Sequence, residues 1–203
     1  MMKSPGRNSA VATALLLPLM LLGSACTKQE TAPAAATPAA SAALPAGLKP
    51  AASMLDLMHD PIDIHANALW QAVYTTSTEK GTEDVVPATD EEWLALRRQA
   101  LVLMEAANLL VTEGRPVAHP GQQLEGEQGE GVYTPQRAQT EIDANRPLFL
   151  AFSAALQGAA GGLVTAIDAR NVEQYLAAGD ALQAACENCH LRFWYPEQAR
   201  PAP

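Results

Sequence analysis

Two cysteines and a histidine near the C-terminus are the residues of this chain best suited to chemistry. They lie in the run Cys186-Glu187-Asn188-Cys189-His190. On a helix, residues three and four apart project to the same side, so both thiols and the imidazole would face one partner. The Cys-x-x-Cys-His pattern is typical of covalent c-type haem attachment, in which the thiols bond the porphyrin vinyl groups and the imidazole reaches the iron. We therefore expect one covalently attached haem c, held by Cys186, Cys189 and His190.

The sequence allows three other roles for this cysteine pair. A redox-active dithiol would need a strand before its helix, and no strand is predicted here. A zinc site would need two more ligands, which only the scattered His59, His65 and His119 could supply as nitrogen. A structural disulfide would close a very small loop. The adjacent histidine favours haem, and so does the N-terminus, because c-type haem is attached outside the cytoplasm.

The N-terminus has the pattern of a bacterial export signal. Lys3 and Arg7 precede an apolar run, residues 11–22, that is too short for a comfortable membrane span. The run ends in Leu22-Gly23-Ser24-Ala25-Cys26, which resembles a bacterial lipobox. That resemblance implies removal of the signal peptide, residues 1–25, and acylation of Cys26. Ordinary cleavage without a lipid is the alternative, because a glycine stands where a larger aliphatic residue is usual.

The remainder divides into a tether and a folded domain. Residues 26–50 are mostly Ala and Pro, cannot form a core, and are expected to be a semi-extended tether. Residues 51–203 are then the domain that carries the haem motif. A lipid on Cys26 would hold this domain at a bacterial membrane, on its periplasmic side.

Composition and charge exclude several classes of function. A net charge of −9 offers nothing to displace phosphate counterions, so the chain is not a nucleic-acid binder. With 48% apolar residues, the chain can bury a core. No constellation of acid, base and nucleophile is found, and the run Asp90-Glu91-Glu92 reads as the charged first turn of a helix. We therefore expect no enzyme activity.

Four segments have the apolar periodicity of helices, and no strand alternation is found. They are about residues 52–76 with a kink or a fresh start at Pro61, 90–113, 135–169 with a break near Pro147, and 171–192, with an exposed loop over 115–133. Thr89 or Asp90 is expected to cap the second segment, and Asn171 the fourth. This pattern predicts an all-α fold, a four-helix bundle with the haem motif on the C-terminal helix. In the first segment Met58, Ile62 and Ile64 are expected on one apolar arc.

A haem motif on the last helix of such a chain resembles the class II c-type cytochromes, the cytochrome c prime group and its low-spin relatives. The resemblance covers residues 51–196, with Leu57-Met58, Pro61 and Leu69-Trp70 early and Cys186 to Tyr195 late. It implies His190 as the proximal iron ligand. The long loop over 115–134 and the lipidated tether depart from the compact class II pattern, which leaves the oligomeric state, a homodimer included, open.

The sixth iron ligand decides the function that the resemblance implies. In the low-spin relatives it is a Met of the first helix, and Met58 stands at that position, within the apolar arc. His65 is the alternative on the same arc, His59 lies at its boundary, and His119 is expected to be exposed in the loop. Met–His ligation leaves no position on the iron for a small molecule, so that the haem can only transfer electrons. An iron without a sixth ligand would instead bind nitric oxide or carbon monoxide.

The expected partners are redox proteins that exchange single electrons with this haem. The acidic surface favours partners with basic docking patches. A haem-bearing accessory subunit of a membrane redox complex is a further alternative. Beside the motif, Phe193-Trp194-Tyr195 could screen the haem edge or cap the bundle, and Arg192 is a candidate partner for a haem propionate.

Overall fold

The structure, a computed structural model, describes residues 49–199. The expected signal peptide and the lipidation site Cys26 lie outside the described residues, as does the expected tether up to residue 48. Helices dominate the described range, which confirms the all-α class. The elements are α1 (Met54–Leu57), a π-helical turn (Met58–Ile62), α2 (Asp63–Trp70), β1 (Tyr74–Thr78), β2 (Gly81–Val85), α3 (Asp90–Leu110), α4 (Pro135–Ala144), α5 (Arg146–Asp168), α6 (Val172–Phe193) and a 3-10 turn (Pro196–Ala199).

Polar side chains start the long helices where the sequence predicts. Thr89 accepts a hydrogen bond from the backbone N–H of Glu92, and the Glu92 carboxylate accepts one from the backbone N–H of Thr89. Asn171 caps α6 in the same way by accepting from the backbone N–H of Gln174. Pro147 stands in the first turn of α5, where its missing N–H costs nothing. The expected break near Pro147 is thus confirmed.

A two-stranded antiparallel hairpin follows α2, contrary to the expectation of no strands. Its register pairs Tyr74 with Val85 and Thr78 with Gly81. Nearly all of its side chains are exposed, so the strands lack the apolar–polar alternation that marks a half-buried strand. Gly81 has a φ of +122°, a backbone conformation that glycine adopts readily. The first helical stretch therefore ends at Trp70 rather than near residue 76.

The π turn between α1 and α2 changes which residues of the first helical stretch are buried. The backbone N–H of Asp63 donates to the carbonyl of Met58, five residues earlier, and Pro61 inside the turn has no N–H to leave unpaired. The extra residue moves the buried positions of α2 forward by one. As a result, Ile62 is 6% exposed and Ile64 is 56% exposed. The expectation that Ile64 belongs to the apolar arc is wrong, because it placed the residues before and after Pro61 on one α-helical wheel, and the π turn shifts that register.

The core is built where α2, α3, α5 and α6 pack together. α5 packs closely on both α3 and α6, and α2 packs on α3. Each of these four helices contributes one leucine with at most 1% of its surface exposed: Leu69, Leu103, Leu163 and Leu182. Among the described residues, α5 is long and apolar enough to cross a membrane by length and composition. One face of α5 is buried, by packing on α3 and α6.

Hydrogen bonds, rather than close backbone packing, join α2 to α6. The Tyr175 hydroxyl donates to the carbonyl of Leu69 at 2.8 Å. The Trp70 indole N–H donates to the carbonyl of Gly179 at 3.3 Å. Both bonds lie between the C-terminal end of α2 and the N-terminal half of α6. The C-terminal half of α6 is thereby left free to border a cavity.

We predict that alanine substitution distinguishes the two isoleucines that flank the π turn. Ile62→Ala should lower the free energy of unfolding by about 2–5 kcal/mol, because it removes a buried side chain. Ile64→Ala should change it by less than about 0.5 kcal/mol, because that side chain lies in solvent. Urea unfolding of both variants measures the difference. Equal losses would contradict the register that the π turn imposes.

Candidate functional site

A cavity of about 440 Å³ lies between the first helical stretch and the C-terminal half of α6. Cys186, Cys189 and His190 line it from α6, and Met58 lines it from the π turn. The four residues that the sequence singled out therefore meet at one cavity. Much of the remaining wall is apolar, including Met54, Ile62, Ala66, Val117, Leu124, Ile142, Phe149 and Phe193.

A second, smaller cavity of about 40 Å³ is lined by the same four residues. Its other walls come mainly from apolar residues of α3, α5 and α6, among them Leu110, Phe152 and Leu156. The thiols, the imidazole and the Met58 thioether thus stand between two spaces. Met58 is also the first residue of the π turn, and such turns occur frequently at functional sites.

Burial keeps the nucleophilic groups of the motif neutral. Cys186 and Cys189 are free thiols. Burial raises the pKa of Cys186 to about 11, helped by the charge of Glu187, and raises the pKa of Cys189 to about 12, helped by Cys186. Burial also lowers the pKa of His190, which favours the neutral imidazole that ligates metals. A redox-active dithiol needs a lowered thiol pKa, so these thiols do not fit that alternative.

Two aromatic side chains enclose the His190 ring. The ring centroid of His190 lies 4.9 Å from that of Trp194 and 5.8 Å from that of Tyr195, and both contacts are edge-to-face. The Tyr195 hydroxyl donates to the Glu187 carboxylate at 2.9 Å. Burial and this carboxylate raise the pKa of Tyr195, so its hydroxyl stays protonated. All four residues line the cavity.

The loop between α3 and α4 closes one side of the cavity. The expectation that residues 115–133 are exposed is wrong for Arg115 and Val117, which are buried. Val117, the half-buried Leu124 and the exposed Glu125 line the cavity. The carbonyl of Glu125 accepts a hydrogen bond from the Trp194 indole N–H at 3.1 Å. Sequence reasoning missed this wall because a backbone carbonyl leaves no mark in the side-chain pattern.

His119, in the same loop, is paired rather than simply exposed. Its Nε2 lies 3.2 Å from Oδ2 of Asp56, and the Gln122 side-chain amide donates to Oδ1 of Asp56 at 3.0 Å. Hydrogen bonds from the backbone of Ser53 and from Gln122 lower the pKa of Asp56 to about 2. Asp56 therefore stays ionised and fastens this loop to α1.

The other candidate residues have different surroundings. His65, the alternative ligand, forms a hydrogen bond through Nδ1 with the side-chain oxygen of Gln99 on α3 and does not line the cavity. His59 lines the cavity with an exposed side chain. Arg192 pairs with Glu141 of α4 at 3.1 Å. A propionate role for Arg192 would compete with that ion pair.

The residues present fit the haem that the motif implies. Two thiols suit two vinyl groups, an imidazole and a thioether suit two axial positions, and the cavity volume of about 440 Å³ is within the usual range for cofactor pockets. Within residues 49–199, no three His, Cys, Asp or Glu side chains form a cluster that could hold a metal ion. A zinc site would need such a cluster. A haem iron does not, since the porphyrin supplies four of its ligands.

Comparison with known proteins gave no match, whether to a protein family, a curated protein or a solved structure. The function of the site is therefore derived from its own residues and from the motif.

We predict that, in protein produced without haem, Cys186 and Cys189 react with iodoacetamide about tenfold more slowly in the folded than in the urea-unfolded chain near neutral pH. The raised pKa values reduce the thiolate fraction, and the higher intrinsic reactivity of more basic thiolates offsets this only in part. The folded-state rate should climb as the pH approaches the raised pKa values. Mass spectrometry of peptides measures each thiol separately. Equal folded and unfolded rates would contradict the partial burial of the two thiols.

Proposed function

We propose that this protein is an exported mono-haem c-type cytochrome that carries single electrons between redox partners in the periplasm and is not an enzyme. The observation that carries the proposal is the convergence of Cys186, Cys189, His190 and Met58 on one largely apolar cavity. Spacing alone brings the first three together, whereas Met58 comes from a distant part of the chain. The pairwise packing of α2, α3, α5 and α6 supports a four-helix bundle with the motif on its last helix.

Each side chain then has a defined role. Cys186 and Cys189 would hold the haem covalently. Each thiol would add its sulfur to one carbon of a vinyl group and its hydrogen to the other, so that the linkage forms without an oxidant. His190 and Met58 would ligate the iron through nitrogen and sulfur. The bound haem supplies an iron that takes up and releases one electron. The apolar walls exclude water, and Met–His ligation favours a higher reduction potential than bis-His ligation.

Position favours Met58 over the histidines as the sixth ligand. Met58 and His190 line both cavities, whereas His65 is engaged by Gln99 and His59 is exposed. A six-coordinate iron would carry electrons only. The gas-binding alternative requires an iron that Met58 does not ligate.

The charges around the cavity favour a basic partner. Asp63, Glu125 and Glu187 line the cavity, and no described Lys or Arg does. A redox partner with a basic docking patch suits such a rim, and the rate of their association should fall as salt is added. An acylated Cys26 would keep this exchange at the membrane surface.

We predict that the protein, matured in a host that attaches c-type haem, has the sharp visible bands of a low-spin iron. A weak far-red sulfur-to-iron band should be present in the oxidised form, and carbon monoxide should leave the reduced spectrum unchanged. Met58→Ala should abolish the far-red band and open the iron to carbon monoxide. Met54→Ala is the matched control, because it removes a methionine side chain from the same cavity.

The control also defines the contradicting results. If the unsubstituted protein binds carbon monoxide, the proposed function would be gas binding and not electron transfer. Loss of the far-red band in Met54→Ala but not in Met58→Ala would move the sixth ligand to Met54. A far-red band that persists in both variants would move the sixth ligand to another methionine. A low-spin unsubstituted protein without the far-red band would point to a histidine ligand.

A further inference from the structure

Hydrogen bonds fix the position of the aromatic residues that follow the haem motif. α6 ends at Phe193, and the backbone N–H groups of Trp194 and Tyr195 both donate to the carbonyl of His190, at 2.8 and 3.0 Å. The chain therefore folds back at this point. That fold places both aromatic rings against the His190 imidazole.

Tyr195 is tied back to the interior of the motif. Its hydroxyl donates to Glu187 at 2.9 Å, and Glu187 lies between the two haem-binding cysteines. Carboxylate acceptors make stronger hydrogen bonds than neutral ones, so this bond is among the firmer contacts of the site. The bond spans His190 and links the residues on either side of it.

Trp194 is tied to the loop that closes the cavity. Its indole N–H donates to the carbonyl of Glu125 at 3.1 Å, and its own carbonyl accepts from the backbone N–H of Tyr133 at 2.7 Å. One bond holds the indole and the other holds the backbone of Trp194, so both tie this residue to the loop between α3 and α4.

Ligating histidines are usually oriented by a hydrogen bond from the second ring nitrogen to a carboxylate or a carbonyl. In the part of the chain that the structure describes, the His190 imidazole forms no hydrogen bond with another protein group. The aromatic rings of Trp194 and Tyr195 do contact it, and they can restrict its rotation. An imidazole without either restraint would lose orientational freedom each time it ligated iron.

We propose that Trp194, Tyr195 and Glu187 form a clamp that sets the orientation of the His190 ring as an axial ligand. The inference rests on the proposed function, because orientation matters only when His190 binds iron. Tyr195 and Trp194 are positioning residues that act through His190. Glu187 has a second effect, since its negative charge near the iron favours the oxidised state.

The experiment compares two tyrosine-to-phenylalanine variants of the haem-loaded protein. Tyr195→Phe removes the hydroxyl that holds Glu187, and Tyr175→Phe removes the hydroxyl that donates to Leu69, remote from the cavity. The readouts are the electron paramagnetic resonance g-values of the oxidised haem, the reduction potential and the melting temperature. The g-values report the orientation of axial ligands, which a purely structural role does not change.

We expect Tyr195→Phe to shift the g-values and to lower the reduction potential, because the Glu187 carboxylate loses a donor that partly neutralises it. Glu187→Gln should raise the potential. Tyr175→Phe should lower the melting temperature and leave g-values and potential as they are, because the hydrogen bond from Trp70 to Gly179 still joins α2 to α6. Trp194→Leu should shift the g-values, and Trp194→Phe should restore them, since it keeps an aromatic edge beside His190.

Unchanged g-values in both Tyr195→Phe and Trp194→Leu would overturn the clamp, whatever happens to their melting temperatures. The phenylalanine ring of Tyr195→Phe can still pack against the imidazole and hold it in place. Trp194→Leu removes an aromatic ring and therefore tests the clamp in that case. If the unsubstituted protein carries no covalent haem, the proposed function fails and the clamp fails with it. If the unsubstituted protein carries haem, but Tyr195→Phe and Trp194→Leu change only the melting temperature, as Tyr175→Phe does, then the clamp fails and the proposed function stands.

Discussion

The site depends on α2 and α6 being tied together at one end while the C-terminal half of α6 stays apart from the first helical stretch. Tyr175 and Trp70 make the ties, by hydrogen bonds to backbone carbonyls across the two helices. Beyond the ties, the space that α6 leaves becomes the cavity lined by Met58 and the Cys-x-x-Cys-His motif. Closer packing along the whole length would bury more apolar surface and would remove the room for a cofactor.

A cavity of this kind needs closure by elements other than helices. The loop over residues 115–133 supplies one wall, fastened by the Asp56 carboxylate at one point and by the Trp194 indole at another. The residues after α6 supply another, by folding back onto His190. These fastenings are hydrogen bonds to backbone carbonyls or to ionised groups, and they hold two walls of the cavity that no helix supplies.

The sequence predicted the features that follow from local chemistry. Side-chain caps at Thr89 and Asn171 fix where α3 and α6 begin, and the spacing within Cys186–His190 fixes which groups share a face. The features it did not predict depend on geometry that composition does not encode. One inserted residue in the π turn exposes Ile64, and an exposed hairpin carries no burial pattern at all. The wall at Glu125 is made partly by a carbonyl, which every residue possesses.

The most direct test of the account is peptide mass spectrometry of protein matured in a host that attaches c-type haem. The account predicts that the peptide containing Cys186 to His190 carries the mass of one haem after denaturation, with neither cysteine open to alkylation. Peptide mapping reads this segment separately from Cys26, so a lipid at the N-terminus does not affect the result. An unmodified peptide with both thiols open to alkylation would contradict haem attachment and with it the assignment as a cytochrome.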